Sequence, residues 1–124
     1  MLTYHNVVPE GEEPAVDASL HLPLSDFRRQ LDTLEETHSI VTLAEALDGV
    51  DRAPAPDGRP RAVITFDDAY RGALTCGLEE LARRRLPATV FVSPGVLGSE
   101  GLWWDRVRLD EEDAEDATHP STAY

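Results

Sequence analysis

The spacing of apolar residues in the first third of the chain predicts a strand and then a helix. A β-forming run over 1–5 indicates a short strand, and the polar, proline-containing stretch 6–19 is typical of a loop. Apolar residues within 26–34 recur at i, i+4 and i+7, the spacing of an amphipathic helix. We expect Ser25 to cap this helix and its end to lie near residues 37–38.

A shorter strand and helix follow, and prolines then interrupt the chain. Ile40 and Val41 predict a brief strand. Thr42 and Glu45 have the spacing of a capping box, in which each side chain bonds the other residue's amide, so a short helix is expected over 43–47. The stretch 51–60 contains three prolines and a glycine, which predicts a loop.

The next segment has the pattern of a strand, a helix and a second strand. The runs 61–66 and 88–92 are apolar and rich in β-formers, as expected of strands buried on both faces of a parallel sheet. Between them a helix is predicted, with Cys76 inside it as a small buried thiol. Its apolar face is expected to contain Leu74, Leu78, Leu81 and Ala82. This βαβ pattern predicts an α/β fold with parallel strands.

Length and composition narrow the class of protein. At 124 residues, with 41% hydrophobic and 28% charged residues, the chain suits one globular domain. A closed eight-stranded α/β barrel needs about 250 residues, so the chain is too short to hold a complete one. No apolar run is long enough to cross a bilayer, and no leader pattern precedes His5, which favours a cytoplasmic location for the sequence as written.

The charge balance argues against nucleic-acid partners. The chain has 24 Asp and Glu against 11 basic residues, a formal charge of −13 that repels phosphates and anionic lipid surfaces. Six of the seven residues in 110–116 are acidic. We therefore expect 108–124 to be a solvated, mobile acidic tail behind a domain that spans 1–107.

The candidate chemistry lies where the strand over 61–66 ends. Asp67 and Asp68 follow that strand directly. Active sites of α/β proteins form at the carboxyl ends of parallel strands, and paired carboxylates can act as a metal ligand and a general base. An Asp in this position can equally cap the next helix, so both interpretations stay open.

The segment Thr65-Phe66-Asp67-Asp68-Ala69-Tyr70 resembles the first motif of the polysaccharide deacetylases, the NodB-homology domain of carbohydrate esterase family 4. Further similar segments occur in the same order over residues 2–107. They are the Tyr4-His5 pair, the helix within 22–34, the Pro-Ala-Thr strand 87–92 and the Trp-Trp-Asp segment within 101–105. Ordered matches of this kind are more specific than one short motif.

The resemblance implies a partial (β/α) barrel of the deacetylase type and a metal-dependent hydrolase that removes acetyl groups from N-acetylated polysaccharides. By the same resemblance Asp67 would be the general base and Asp68 a ligand of a divalent metal, usually zinc. His5 is a second candidate ligand, or a hydrogen-bonded structural residue. Tyr70, Trp103 and Trp104 are candidate substrate contacts, although Tyr70 can simply begin the helix and adjacent tryptophans also cover core edges.

Two departures from the family pattern matter. The family completes its metal site with two histidines four residues apart, whereas no two of His5, His21, His38 and His119 have that spacing. Ala69 also replaces a glycine, at a cost of about 1 kcal/mol if the backbone there has a positive φ.

We therefore expect the N-terminal part of a deacetylase, whose remainder is supplied by a partner chain, by a second copy or by residues beyond this sequence. The alternative is a non-catalytic carbohydrate-binding or interaction remnant of that fold. A phosphate-binding α/β domain is disfavoured because no glycine-rich loop follows a strand.

Overall fold

The computed structural model describes residues 1–12, 20–48 and 55–96, which form short parallel strands and helices. In chain order the strands of this part are β1 (Leu2–Tyr4), β2 (Asn6–Val8), β3 (His21–Pro23), β4 (Ser39–Ile40), β5 (Arg61–Ala62), β6 (Ile64–Phe66) and β7 (Thr89–Val90). The helices are α1 (Leu24–Thr37), α2 (Leu43–Asp48) and α3 (Leu78–Arg84), the last preceded by a π-helical segment, Ala73–Gly77. A 3₁₀ turn, Pro94–Val96, follows β7.

All strand pairs in the described residues are parallel. The central sheet has the order β1-β6-β7, with Thr3 opposite Thr65 and Phe66 opposite Val90. Two smaller sheets pair β2 with β3 and β4 with β5. The predicted βαβ unit is thus observed as β6, α3 and β7. In the described residues these sheets do not close into a barrel, so the barrel relationship stays a prediction.

The N-terminal loop prediction is wrong in its first part. Residues 6–8 form β2, which pairs with β3 in the register Val7 opposite Leu22. Val7 and Val8 are both buried. Two valines after a single polar residue are too few to show strand periodicity, and only the tertiary pairing with β3 defines this strand. The rest of that predicted loop, 13–19, lies outside the described residues.

Helix α1 follows its predicted apolar face but not its predicted cap. Phe27, Leu31 and Leu34 are buried as the i, i+4, i+7 spacing indicated. The helix begins at Leu24, with Pro23 in the cap position and no side-chain cap hydrogen bond, so the prediction that Ser25 caps it is wrong. Pro23 has φ −56° and ψ 141°, the extended backbone angles typical of the residue before a helix. None of the helices in the described ranges has the length and apolar character needed to cross a bilayer.

The predicted capping box at α2 is confirmed. The Thr42 amide donates to Glu45 Oε2 at 2.9 Å, and the Glu45 amide donates to Thr42 Oγ1 at 3.1 Å. These bonds hold the pKa of the Glu45 carboxyl below its usual value, because the hydroxyl and amide of Thr42 stabilise the charged form.

The π-helical segment changes which residues of the third helical region are buried. Leu78 N–H bonds the carbonyl of Ala73, five residues back, which widens the turn and rotates the following residues relative to an α-helix. Ala73, Gly77 and Leu81 are consequently buried, whereas Leu74 is 44% exposed. The predicted placement of Leu74 and Ala82 on the buried face is therefore wrong, because a 3.6-residue period was assumed throughout.

The core lies between the central sheet and the helices. Tyr4 contacts the edge of Phe27 with ring centroids 5.0 Å apart, and Phe66 lies 5.7 Å from Tyr4. Ile64 and Leu31 are fully buried beside these rings. Side chains alternate along a strand, so the odd-numbered residues of β1 and β6 point away from this core.

A buried carboxylate joins α1 to α3. Glu80 is 6% exposed and accepts hydrogen bonds from Arg28 Nε at 2.9 Å, Arg83 Nη2 at 3.0 Å and Arg84 Nε at 2.9 Å. The bonds from Arg84 and Arg28 lower the pKa of Glu80. The network fixes the angle between the two helices that cover the sheet.

We expect Glu80→Gln to lower the free energy of unfolding by about 2 kcal/mol at pH 7, because hydrogen bonds to charged groups contribute about 1.5–3 kcal/mol. The folded-state pKa is depressed, so this contribution is complete above the unfolded pKa of Glu and is lost as the pH falls through the folded pKa. Urea unfolding at several pH values measures it. Glu79→Gln, the same change at an exposed neighbour, is the control; equal losses in both variants would contradict the role of Glu80.

Gly72 is required where the helical region approaches β2. A Cβ built there would lie 2.0 Å from the carbonyl oxygen of Val7 and 2.5 Å from Asn6 Oδ1. We expect Gly72→Ala to destabilise the protein by about 1–3 kcal/mol through overpacking. Gly95→Ala, where a Cβ meets nothing within 4 Å, should change the melting temperature little. An unchanged melting temperature for Gly72→Ala would refute the close packing.

Candidate active site

An open cleft lies at the carboxyl end of β6. Its volume is about 450 Å³. It is lined by Met1, Thr3, Thr65, Asp67, Asp68, Phe91, Val92 and Ser93. Asp67 and Asp68 thus share one cavity with residues from β1 and β6 and from the segments that flank β1 and β7.

Strand alternation places the polar residues on this side of the sheet. Phe66 points into the core, so Thr65 and Asp67 point into the cleft, and Thr3 on β1 lies opposite Thr65. Thr65 Oγ1 lies 3.0 Å from Thr3 Oγ1. Thr65 is fully buried and Thr3 is exposed, so of these two residues only Thr3 is accessible to the solvent.

The backbone turns sharply after β6. Asp68 has φ 64° and Ala69 has φ 51°, two successive residues in the left-handed region. Residues other than glycine pay about 1–2 kcal/mol for that conformation. The condition under which a residue other than glycine is strained at position 69, a positive φ, is therefore met.

The turn directs Asp68 toward β7 and away from the helix. Ser93 Oγ, just beyond β7, donates a hydrogen bond to Asp68 Oδ1 at 3.0 Å. A helix N-cap has extended backbone angles, which Asp68 lacks, and within the described residues its carboxylate bonds no helix amide. Asp68 therefore does not cap the following helix.

Asp67 is bonded to β1 through its backbone, and no described side chain bonds its carboxylate. Its amide donates to the carbonyl of Tyr4 at 2.9 Å, which continues the pairing of β6 with β1. Among the described side chains none hydrogen-bonds or forms an ion pair with the Asp67 carboxylate. This group is half-buried at the cleft wall, with both oxygens able to accept a proton or a hydrogen bond.

The cleft side of the central sheet is partly exposed, although Thr65 on that side is fully buried. Phe91 and Val92 are each 48% exposed and Met1 is 78% exposed. The expectation that 88–92 is buried on both faces is therefore wrong for its last two residues. The run 88–92 is therefore exposed at its end, where it lines the cleft.

The described residues do not by themselves form a metal site. A catalytic zinc ion usually has three protein ligands, and no group of three His, Cys, Asp or Glu side chains in the described ranges could hold a metal ion. Asp67 and Asp68 have suitable oxygen donors. His5 follows β1 level with Asp67 but does not line the cleft.

The other predicted site residues are not gathered at the cleft. Tyr70 is half-buried, packs against the core and contacts the ring of His21 edge-on, with centroids 5.5 Å apart. Trp103, Trp104 and the acidic tail 108–124 lie outside the described residues. Sequence reasoning missed Ser93, whose only signal was its place at the end of a strand predicted to be parallel to β6.

Comparisons with known proteins do not assign the chain to a family. No protein-family model matches the chain, and no curated protein matches it significantly. The resemblance to the polysaccharide deacetylases stays a prediction from the motifs quoted above.

Ala69→Gly should raise the free energy of unfolding by about 1 kcal/mol, because glycine adopts a positive φ without steric cost. Chemical denaturation of the purified chain measures this. Ala44→Gly, at an exposed position of α2, is the matched control and should destabilise by about 1 kcal/mol. If both variants lose stability, the left-handed turn at Ala69 is refuted.

Proposed function

We propose that the chain carries the carboxylate half of a metal-dependent carbohydrate N-deacetylase site, which hydrolyses acetamide groups on N-acetylated sugars of a polysaccharide. The observation that supports this function most is the placement of Asp67 and Asp68 together in an open cleft at the carboxyl end of a parallel strand. That end of an α/β sheet is where catalytic groups are found. The motif containing both residues resembles that of the polysaccharide deacetylases.

Asp67 is the residue best suited to act as general base. A base must reach a water molecule in the cleft and must have a free oxygen to accept its proton. The Asp67 side chain lines the cleft, and none of the described side chains occupies its oxygens. The Asp67 amide donates to the carbonyl of Tyr4, so the pairing of β6 with β1 holds this residue in place at the cleft.

Asp68 is suited to hold a divalent cation. Its Oδ1 accepts the Ser93 bond, and none of the described side chains bonds its Oδ2. When bound, a divalent metal of the zinc type polarises the substrate carbonyl and lowers the pKa of water. The remaining ligands would come from groups outside the described residues, supplied by a partner chain, by a second copy or by further chain.

The open shape of the cleft suits a polymer. A closed pocket would admit only a chain end, whereas this cleft is bounded by β1 and β7 and is open to solvent beside Phe91. The exposed Thr3 lines the cleft, and its hydroxyl is a group that bonds sugar hydroxyls. Contacts from Tyr70, Trp103 and Trp104 to the polysaccharide stay predictions.

A second candidate function is carbohydrate binding without catalysis. It is favoured by one observation, the lack of a three-ligand metal group among the described side chains. In that case the same cleft would bind N-acetylated oligosaccharide with no metal requirement.

Variants at the two aspartates test the proposed roles. Asp68→Asn should abolish Zn²⁺ binding measured by calorimetry on chelator-treated protein. Asp67→Asn should keep Zn²⁺ binding and lower acetate release from chito-oligosaccharide by about 10²–10⁴-fold, the usual contribution of general base catalysis. Asp48→Asn is the control, because it makes the same charge change at the exposed end of α2, which does not line the cleft. It should alter neither measurement.

Acetate release by Asp67→Asn at the wild-type rate would refute the role of Asp67 as base. A wild-type chain that binds chito-oligosaccharide without Zn²⁺ and releases no acetate would support the non-catalytic function instead.

A further inference from the structure

We propose that a second cavity, which we name the β2 cavity, binds a small zwitterion of the amino-acid type, with Arg71 bonding its carboxylate and Glu12 its ammonium group. The cavity has a volume of about 520 Å³ and shares no lining residue with the cleft after β6. The inference is therefore independent of the proposed function. The polar part of its lining comprises Asn6, Glu12, His21, Arg71 and Thr75.

Close packing of the helical region against β2 forms one wall of the β2 cavity. Gly72 lines it, and a Cβ on Gly72 would lie 2.0 Å from the carbonyl oxygen of Val7. The π-helical segment begins at the next residue, Ala73. π-helical turns are frequent at functional sites. The absence of a side chain at Gly72 thus brings Arg71 and Thr75 to the same cavity as residues of β2.

Two opposite charges line the β2 cavity without pairing. The Arg71 guanidinium and the Glu12 carboxylate are both exposed, and they form no ion pair or hydrogen bond with each other or with another described side chain. A zwitterion can bond both groups, whereas a ligand with a single charge would meet one attractive and one repulsive group. Several other guanidinium groups of the described residues do bond carboxylates, namely those of Arg28, Arg29, Arg59, Arg83 and Arg84.

Backbone contacts position the two charged residues on separate elements. Glu12 follows β2 through a turn, in which its amide donates to the carbonyl of Pro9 at 3.3 Å and Gly11 has φ 86°. Arg71 precedes the π-helical segment, and its carbonyl accepts a hydrogen bond from Thr75 Oγ1 at 2.9 Å. Each charge is therefore positioned by its own element, and the cavity is bounded by both.

The uncharged groups of the cavity include acceptors for an ammonium group. Thr75 Oγ1 donates its hydrogen to the carbonyl of Arg71, so lone pairs are what it offers a ligand. Asn6 Oδ1 is buried without a hydrogen-bond partner among the described residues, and Asn6 Nδ2 lies 3.0 Å from Nδ1 of His21. Buried amide oxygens are normally hydrogen-bonded. Together with Glu12 these oxygens suit the N–H donors of an ammonium group, while the guanidinium of Arg71 suits a carboxylate.

An amide NMR titration of the full 124-residue chain tests this site. The probes are zwitterions whose charges lie increasingly far apart: glycine, β-alanine, γ-aminobutyrate and ε-aminocaproate. Each is compared with two analogues of the same length, the acid without the amine and the amine without the acid. We expect one zwitterion to bind about 10-fold more tightly than either of its analogues, because each analogue lacks one charge-assisted interaction. The amide signals of Gly72 and Thr75 should shift, and those of Val92 and Ser93, beside the cleft, should not.

Variants at the two charges should change this preference in opposite ways. Arg71→Gln should bind the zwitterion no more tightly than the amine, and Glu12→Gln no more tightly than the acid. Arg85→Gln and Glu36→Gln are the matched controls, because they make the same charge changes at exposed positions that do not line the cavity. Both controls should keep the wild-type preference.

The inference would be overturned if no zwitterion bound more tightly than both of its analogues, or if the shifts were confined to the cleft. A preference for the zwitterion that survives Arg71→Gln or Glu12→Gln would also contradict it. Arg71 and Glu12 are exposed, so both variants should keep the wild-type melting temperature, which identifies any loss of affinity that reflects unfolding.

Discussion

The pairing of β6 with both of its neighbours is the constraint on which the candidate site depends. β1 and β7 bond opposite edges of β6, in registers that place Tyr4, Phe66 and Val90 side by side. Because the three strands are parallel, their carboxyl ends meet at one boundary. Asp67 and Ser93 reach the same cleft only because of that shared boundary.

Alternation along the strands then gives the sheet two different faces. Tyr4 and Phe66 point toward α1 and form the aromatic part of the core with Phe27. Thr3 and Thr65, one residue earlier, point to the opposite face, where they form the floor of the cleft. A shift of one residue in the pairing would exchange these faces. Burial of the aromatic rings therefore stabilises the register that also places the cleft residues on the other face.

Stability and candidate function conflict at the turn after β6. The core side is well supported, since Glu80 and its three arginine partners fix α1 against α3. The cleft side carries two residues with positive φ and an exposed Phe91. Strained backbone and uncovered apolar surface both cost free energy, and their coincidence at one boundary is typical of a site where ligand or partner contacts matter more than packing.

The local features of the chain follow from its sequence. The buried positions of α1 and the capping box of Thr42 and Glu45 were predictable, because they depend on residues within a few positions of one another. The βαβ unit and the place of Asp67 and Asp68 at a strand end were predictable from the order of apolar runs along the chain. Tertiary structure decided the rest. The strand β2, the π-helical shift that exposes Leu74 and the bond from Ser93 to Asp68 depend on residues 15 to 69 positions apart, or on packing against them. Sequence periodicity contains no information about such contacts, since it records which face of an element is apolar and not which neighbour that face meets.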